Sequence, residues 1–408
     1  VGGEKEDEEG EGEEEDGDDD EGDVLDYVVE KLDRALITSG QAGTLGGTWI
    51  EGTLAMLDEF SRANGDDDDD DHHHPPDAKR RKKESSEEEA ENVFFSSSTF
   101  FSEEEPYGRP ALTPSRECPR HEGWSLDRFE DYMNEPAAAT GFAAPRPLVF
   151  TDLLGSWPAL SDRPWRSVSY LLSRTLGGRR LVPVEVGRSY VDAGWSQELM
   201  PFGRFLRKHV LLLDAPQHQQ QQEEEQQKRK RAYLAQHDLL GQIPCLRRDV
   251  AVPDLCWADV PPHPGGPGRD RPRLGSPSLN AWFGPAGTIT PLHTDAYHNL
   301  LAQVVGRKYV RLYPPGAAAA MRPRGEEHGV DMSNTSAVDL GVVEGWDEPP
   351  EDEDGEGDGG VERDREALRG VEYWECVLGP GDTLLIPMGW WHYVRSLSIS
   401  FSVSFWWN

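Results

Sequence analysis

The stretch Thr288–Asn299 reads TITPLHTDAYHN, and the reading of the whole chain turns on it. His293 and Asp295 stand two apart, and on an extended strand side chains at that spacing share a face. An imidazole and a carboxylate on one face supply two thirds of a 2-His-1-carboxylate set, which leaves positions open on Fe(II). A bare His-x-Asp arises by chance in many chains, and an ordinary strand histidine is the plain alternative. A third ligand has to come from elsewhere. The best candidate is His392, in IPMGWWHYV at 386–394.

The neighbouring runs add weight. In GRKYVRLY (306–313), Lys308, Val310 and Leu312 share one face of a strand. If that face is interior, a buried ammonium needs an anion beside it. With the opposite parity Lys308 meets solvent, and a period of two does not choose between them. The run SISFSVSF (398–405) alternates strictly. Its apolar face packs on a core, while its serine face lines a polar cavity or meets water. Pro380–Asp382 marks a turn before the strand that leads to His392.

Short β-like runs recur outward from there: Pro147–Phe150, Leu181–Val186, Leu279–Phe283, Lys308–Tyr313, Thr383–Pro387 and Ile399–Trp406. With few long helices, they predict a mainly β fold, a barrel or sandwich with helices outside. Of the 13 tryptophans only Trp49 precedes this body, which is expected to span 106–408. Low-complexity insertions at 217–231 and 345–365 read as surface loops within it.

The N-terminal part reads differently. Residues 1–22 are acidic, of low complexity and expected to be disordered. A small helical segment follows at 23–63. Val24, Val28, Leu32 and Leu36 recur at helical spacing, and a second helix is expected around Trp49–Phe60. Residues 64–105 form a low-complexity linker holding Asp66–Asp71, His72–His74 and the basic run Lys79–Lys83. That basic run reads equally as a nuclear-import signal or as a solvated charge run. Three adjacent histidines without supporting partners make a poor metal site.

The formal charge of −35 over 408 residues is concentrated in Glu4–Asp23, Asp66–Asp71 and Glu348–Asp358. Such blocks repel themselves and stay solvated, and an acidic chain does not grip DNA over a broad surface. The four cysteines, Cys118, Cys245, Cys256 and Cys376, form no CxxC pair. Neither a zinc site nor a disulfide framework is expected, and a reducing compartment is. No apolar run is long enough for a transmembrane helix. The chain opens on Val1 in an acidic stretch, with no leader pattern visible.

The segments AWFGPAGTITPLHTDAYHNLLAQVVGRKYVRLYPP (281–315) and PGDTLLIPMGWWHYVRSLSISFSVSFWW (380–407) together resemble the catalytic half of a JmjC-domain oxygenase. The likeness is strongest to the JmjC domain-containing protein 5 group, described both as lysine-specific demethylase 8 and as a protein arginine hydroxylase. It extends upstream through LVPVEVGRSY (181–190), WSQELM (195–200), YLAQHDLLGQIPCLRRDV (233–250) and VPDLCWAD (252–259). The resemblance implies a double-stranded β-helix, the jelly-roll or cupin-like JmjC barrel, with flanking helices.

Carried over by position, it implies that His293, Asp295 and His392 ligate Fe(II). Lys308 would bind the distal carboxylate of 2-oxoglutarate with Tyr233 and Thr290, and Asn299 would hold the end nearer the metal. Glu185 and Trp282 would contact the substrate side chain, a carboxylate and an aromatic suited to a guanidinium. Core packing for Trp282 and a strand-surface carboxylate for Glu185 are the plainer readings. The group often has Pro-Gln-Gln where this chain has Ala296-Tyr297-His298, so His298 adds a titratable group near the site.

In such enzymes oxidative decarboxylation of 2-oxoglutarate with O₂ is coupled to oxidation of a substrate C–H bond. The leading expectation is therefore hydroxylation of an arginine in a protein or peptide, in the nucleus and also the cytoplasm. Demethylation of N-methyl-lysine on histones is the second reading. A non-catalytic, chromatin-associated regulator using acidic tails is a third. No membrane partner is expected.

Overall fold

The computed structural model describes residues 21–39, 47–65, 100–136, 145–192, 194–211, 231–327, 329–348 and 357–408. The acidic tail through residue 20, the Lys79–Lys83 run, His72–His74, the Gln-rich stretch 217–230 and residues 349–356 lie outside the described residues.

Two units are distinguished: residues 1–73 with 179–181, and residues 74–178 with 182–408. In the first, α1 (Glu21–Ser39) and α2 (Thr48–Gly65) form at the two amphipathic stretches. α1 buries Val29, Asp33 and Leu36, whereas Val24 is exposed, so the buried face is turned from the expected one. Asp33 accounts for the turn. Its carboxylate receives Arg180 through both oxygens, at 2.8 and 2.7 Å, and a buried charge is tolerable only when paired this way.

The second unit is built from β1 (Arg120–His121), β2 (Leu148–Phe150), β3 (Leu181–Val186), β4 (Ser196–Pro201), β5 (Ala232–His237), β6 (Ser278–Gly284), β7 (Ile289–His293), β8 (His298–Val305) and β9 (Lys308–Tyr313). A hairpin, β10 (Glu326–Glu327) and β11 (Val330–Asp331), precedes β12 (Trp374–Leu378), β13 (Thr383–Ile386), β14 (Trp391–Ser396) and β15 (Ser400–Trp407). The larger sheet runs β1-β2-β13-β8-β15-β6-β5-β3-β4, and the smaller runs β12-β9-β14-β7. Almost all pairings are antiparallel, and the two sheets form the jelly-roll barrel that the resemblance implies.

Alternation along β15 sets inside and outside. Ile399, Phe401, Val403 and Phe405 join a core shared with Phe129, Met133, Val168 and Leu171 of the helices at 126–133 and 168–174. The serine row is fully buried rather than wet. Ser402 donates to the Gln303 carbonyl oxygen at 2.7 Å, Gln303 donates to Ser400 at 3.0 Å, and the Trp282 indole donates to Ser404 at 2.9 Å. Each buried hydroxyl thus has a partner, which removes the usual cost of an interior polar row.

Every residue of β9 is buried, which is why parity was undecidable from the sequence. Val310 and Leu312 point inward with Leu301, Ile386 and Val394, and Lys308 follows the same parity. Tyr309 and Tyr313 point outward into a cluster with Met321 and Val343.

Two expected loop boundaries lie elsewhere in the structure. Phe101 is buried edge-on against Phe283, at 5.5 Å between ring centroids, so the folded body takes in residues upstream of 106. Within 345–365, read as a loop, a helix begins at Gly357 and runs to Leu368. Its segment VERDREALR combines good helix formers with an Arg365–Glu362 pair at 2.8 Å, and buried Asp364 receives Arg322. No described helix is long and apolar enough to cross a membrane.

Candidate metal and co-substrate site

β7 ends at His293, so Asp295 lies just past the strand rather than on it. The chain still turns both side chains to one point, with His293 Nε2 3.6 Å from Asp295 Oδ1. His392, near the start of β14, is the cross-strand partner of His293. The two rings lie 4.1 Å apart between centroids, and His392 Nε2 is 3.7 Å from Asp295 Oδ2. One donor atom from each of the three falls within 4.8 Å of the others.

The imidazoles are set for this arrangement by their backbones. His293 Nδ1 donates to Pro291 O at 2.9 Å, and His392 Nδ1 donates to Trp390 O at 3.0 Å. A carbonyl can only accept, so the proton sits on Nδ1 and each Nε2 lone pair faces the shared point. Burial and the neighbouring His293 hold the His392 imidazole down to about 4, which keeps it neutral as a ligand must be. Asn299 donates to Asp295 Oδ2 at 3.4 Å, and the Gly389 amide donates to the Asp295 carbonyl at 3.2 Å, fixing the carboxylate and the turn that delivers His392.

A cavity opens from these groups, lined also by Tyr233, Trp282, Thr290, Asn299, Leu301, Lys308, Ile386 and Val394. Lys308 is 1% exposed, and its ammonium meets the Tyr233 hydroxyl at 3.1 Å. No carboxylate among the described residues pairs with it, and burial alone pulls its pKa down to about 7. Tyr233 contacts Thr290, and its phenol is pushed up by burial. The Asn299 Oδ1 is buried without a hydrogen-bond partner among the described residues. Three inward donor atoms and a buried cation without an anion among the described residues fit a metal ion with a chelating dicarboxylate between it and Lys308.

Residues 137–408 match the cupin-like domain family. This chain belongs to the cupin-like domain family. The chain is 37% identical over 314 residues to lysine-specific demethylase 8 of Danio rerio, covering 75% of this chain and 64% of that protein. It is 39% identical over 262 residues to lysine-specific demethylase JMJ30 of Arabidopsis thaliana, covering 64% and 50%. With Jumonji C domain-containing protein 5 of Drosophila melanogaster it shares 33% over 297 residues, covering 73% and 61%. The chain therefore spans between half and two thirds of the length of these relatives.

Of the residues singled out from sequence, Glu185 and His298 do not line the cavity. Glu185 sits on β3 directly opposite Tyr233 of β5, half-buried. Burial pushes its carboxyl up, partly offset by the Trp195 indole, and no lysine or arginine of the described residues forms an ion pair with it. Trp282 packs on the interior cluster and also lines the cavity.

His298 is near the site in sequence and turned from it in the fold. On β8 it alternates with Asn299 and points away from the cavity, where its Nδ1 accepts the Met388 amide at 3.1 Å. Its ring lies 5.6 Å from Trp407, and burial holds it down to about 4, so it is a neutral brace for the 387–390 turn and not a substrate contact. Sequence reasoning missed Tyr190, whose hydroxyl reaches Thr335 at 3.4 Å and which feels both Glu185 and Asp295. It lies in a loop, where periodicity carries no signal.

Proposed function

We propose that this chain is an Fe(II)- and 2-oxoglutarate-dependent oxygenase that hydroxylates an arginine side chain of a protein substrate. Lys308 carries the reading. A buried lysine that lines a cavity, its one hydrogen-bond partner among the described residues a tyrosine hydroxyl, calls for an anionic ligand. In this proposal His293, Asp295 and His392 hold the metal, while Lys308, Tyr233 and Thr290 bind the distal carboxylate and Asn299 meets the other end. Bound there, iron and the co-substrate supply oxidation of a C–H bond with release of succinate and CO₂. The protein's share is to orient the substrate and exclude water with Leu301, Ile386 and Val394.

Glu185 supports arginine as the target. It is a half-buried carboxylate without an ion-pair partner among the described residues, next to the strand of Tyr233. A guanidinium offers a planar fork of N–H donors to a carboxylate, whereas a fully methylated ammonium offers none. The second reading, demethylation of N-methyl-lysine, is favoured by relatives named as lysine-specific demethylases. A nuclear site of action, read from the Lys79–Lys83 run, is part of the same proposal. Incubation with Fe(II), 2-oxoglutarate and arginine- or methyl-lysine-containing peptides separates the two. Hydroxylation adds one oxygen to the peptide mass, demethylation removes a methyl group, and no change in any peptide sinks both.

A further inference from the structure

The seam of the barrel carries a pair of thiols. The smaller sheet ends on β12 and the larger sheet ends at β2 with β1, and the segment 116–121 pairs with both. On one side Glu117 bridges Glu375 in parallel, with the Cys118 amide donating to Glu375 O and the Glu375 amide to Arg116 O, each at 2.9 Å. On the other side Arg120 and His121 pair with Val149 and Phe150. One step beyond the Glu117–Glu375 bridge, Cys118 stands opposite Cys376. Both are buried in the interior apolar layer with Val149, Val310 and Leu384. The Cys118 thiol and burial together push the Cys376 thiol well above the ordinary thiol range.

We infer that Cys118 and Cys376 are a thiol-modification site, a pair that closes into a reversible disulfide across the barrel seam. A relaxed disulfide wants its Cβ atoms about 3.5–4.5 Å apart, so facing positions on paired strands have to close up slightly to form one. A bond made this way is more readily reduced than a permanent structural bridge. Access comes from the strap itself. Between Ala111 and Arg120 only Cys118 is buried, so local opening of this surface segment exposes both sulfurs together. The remaining cysteines are placed otherwise: the Cys245 thiol points to Arg174 O, and burial pushes the Cys256 thiol up.

The oxidant class is a low-molecular-weight disulfide. One cysteine thiolate attacks a sulfur of that disulfide, forming a mixed disulfide and releasing one thiolate. The second cysteine then attacks the protein sulfur of the mixed disulfide, expelling the other. The protein pair loses two electrons and two protons, and the small disulfide becomes two thiols. In a reducing compartment the pair stays open.

The test is incubation of the full chain with oxidised glutathione, followed by alkylation in denaturant, digestion and mass analysis. The expected result is a peptide pair linking Cys118 to Cys376, two hydrogens lighter, that dithiothreitol separates. It should be accompanied by a rise in Tm, because the cross-link closes a loop of more than half the chain. Cys118→Ser and Cys118→Ala should lose both the link and the Tm rise. Full alkylation of both thiols after oxidation would overturn the inference, as would links scattered to Cys245 or Cys256. A Tm rise of equal size in Cys118→Ala would also overturn it.

Discussion

The Lys308 ammonium lies 3.1 Å from the Tyr233 hydroxyl, deep in the barrel, with no carboxylate of the described residues beside it. A fold tolerates such a charge poorly unless a ligand completes it. Lys308→Met is expected to leave the ligand-free protein as stable as wild type or more so. It should weaken 2-oxoglutarate binding by about 2–5 kcal/mol, the usual cost of removing one partner of a buried charge pair. Titration calorimetry and thermal melts read both effects.

The same lysine sets a pH dependence. Its pKa in the ligand-free protein is lowered to about 7, and a bound dicarboxylate needs the charged form. Below pH 7 the ammonium is already protonated, so 2-oxoglutarate affinity is flat from this source. Above pH 7 the ligand must bring a proton with it, and affinity should fall by up to roughly tenfold per unit. The ligand-free fold responds in the opposite sense. Between about 7 and the model-peptide value of 10.5 the unfolded chain binds the extra proton, so this group makes stability rise with pH. A binding constant independent of pH across that window would place Lys308 outside the co-substrate site.

Tyr233→Phe removes one neutral hydroxyl from the same carboxylate site. The expected loss is about 1 kcal/mol, read as a several-fold rise in the KM for 2-oxoglutarate with kcat little changed.

Asn299 holds Asp295 at 3.4 Å and acts on the metal through it. Asn299→Ala should weaken metal affinity by roughly 10–100-fold, as is typical when an outer hydrogen-bond partner of a ligand is lost. Titration with redox-inert Mn(II) measures this without turnover.

Glu185→Gln keeps the shape and removes the charge. It should leave 2-oxoglutarate binding unchanged while raising the KM of an arginine-containing peptide. Equal peptide kinetics in wild type and variant would remove Glu185 from substrate recognition.

Much of the barrel was legible because alternation is local. SISFSVSF declared two faces, and β15 has them. The alternation did not say that the serine face would be dry, since that depends on Gln303 and Trp282 arriving from other strands. Lys308 was ambiguous because both faces of β9 are covered. His293 and Asp295 were visible as a pair, but His392 joins them only through the register of β14 on β7. His298 was read as a site group because it is close in sequence, and strand parity turns it away. Helix α1 misled by one position because a buried Asp33 looks polar until Arg180 is beside it.

The most direct measurement is stoichiometric. Purified protein is incubated with Fe(II), 2-oxoglutarate, O₂ and an arginine-containing peptide, and succinate and peptide mass are followed together. The account predicts one oxygen gained by the peptide for each succinate formed, with both abolished in Asp295→Ala. Succinate formation that persists undiminished in Asp295→Ala would contradict it.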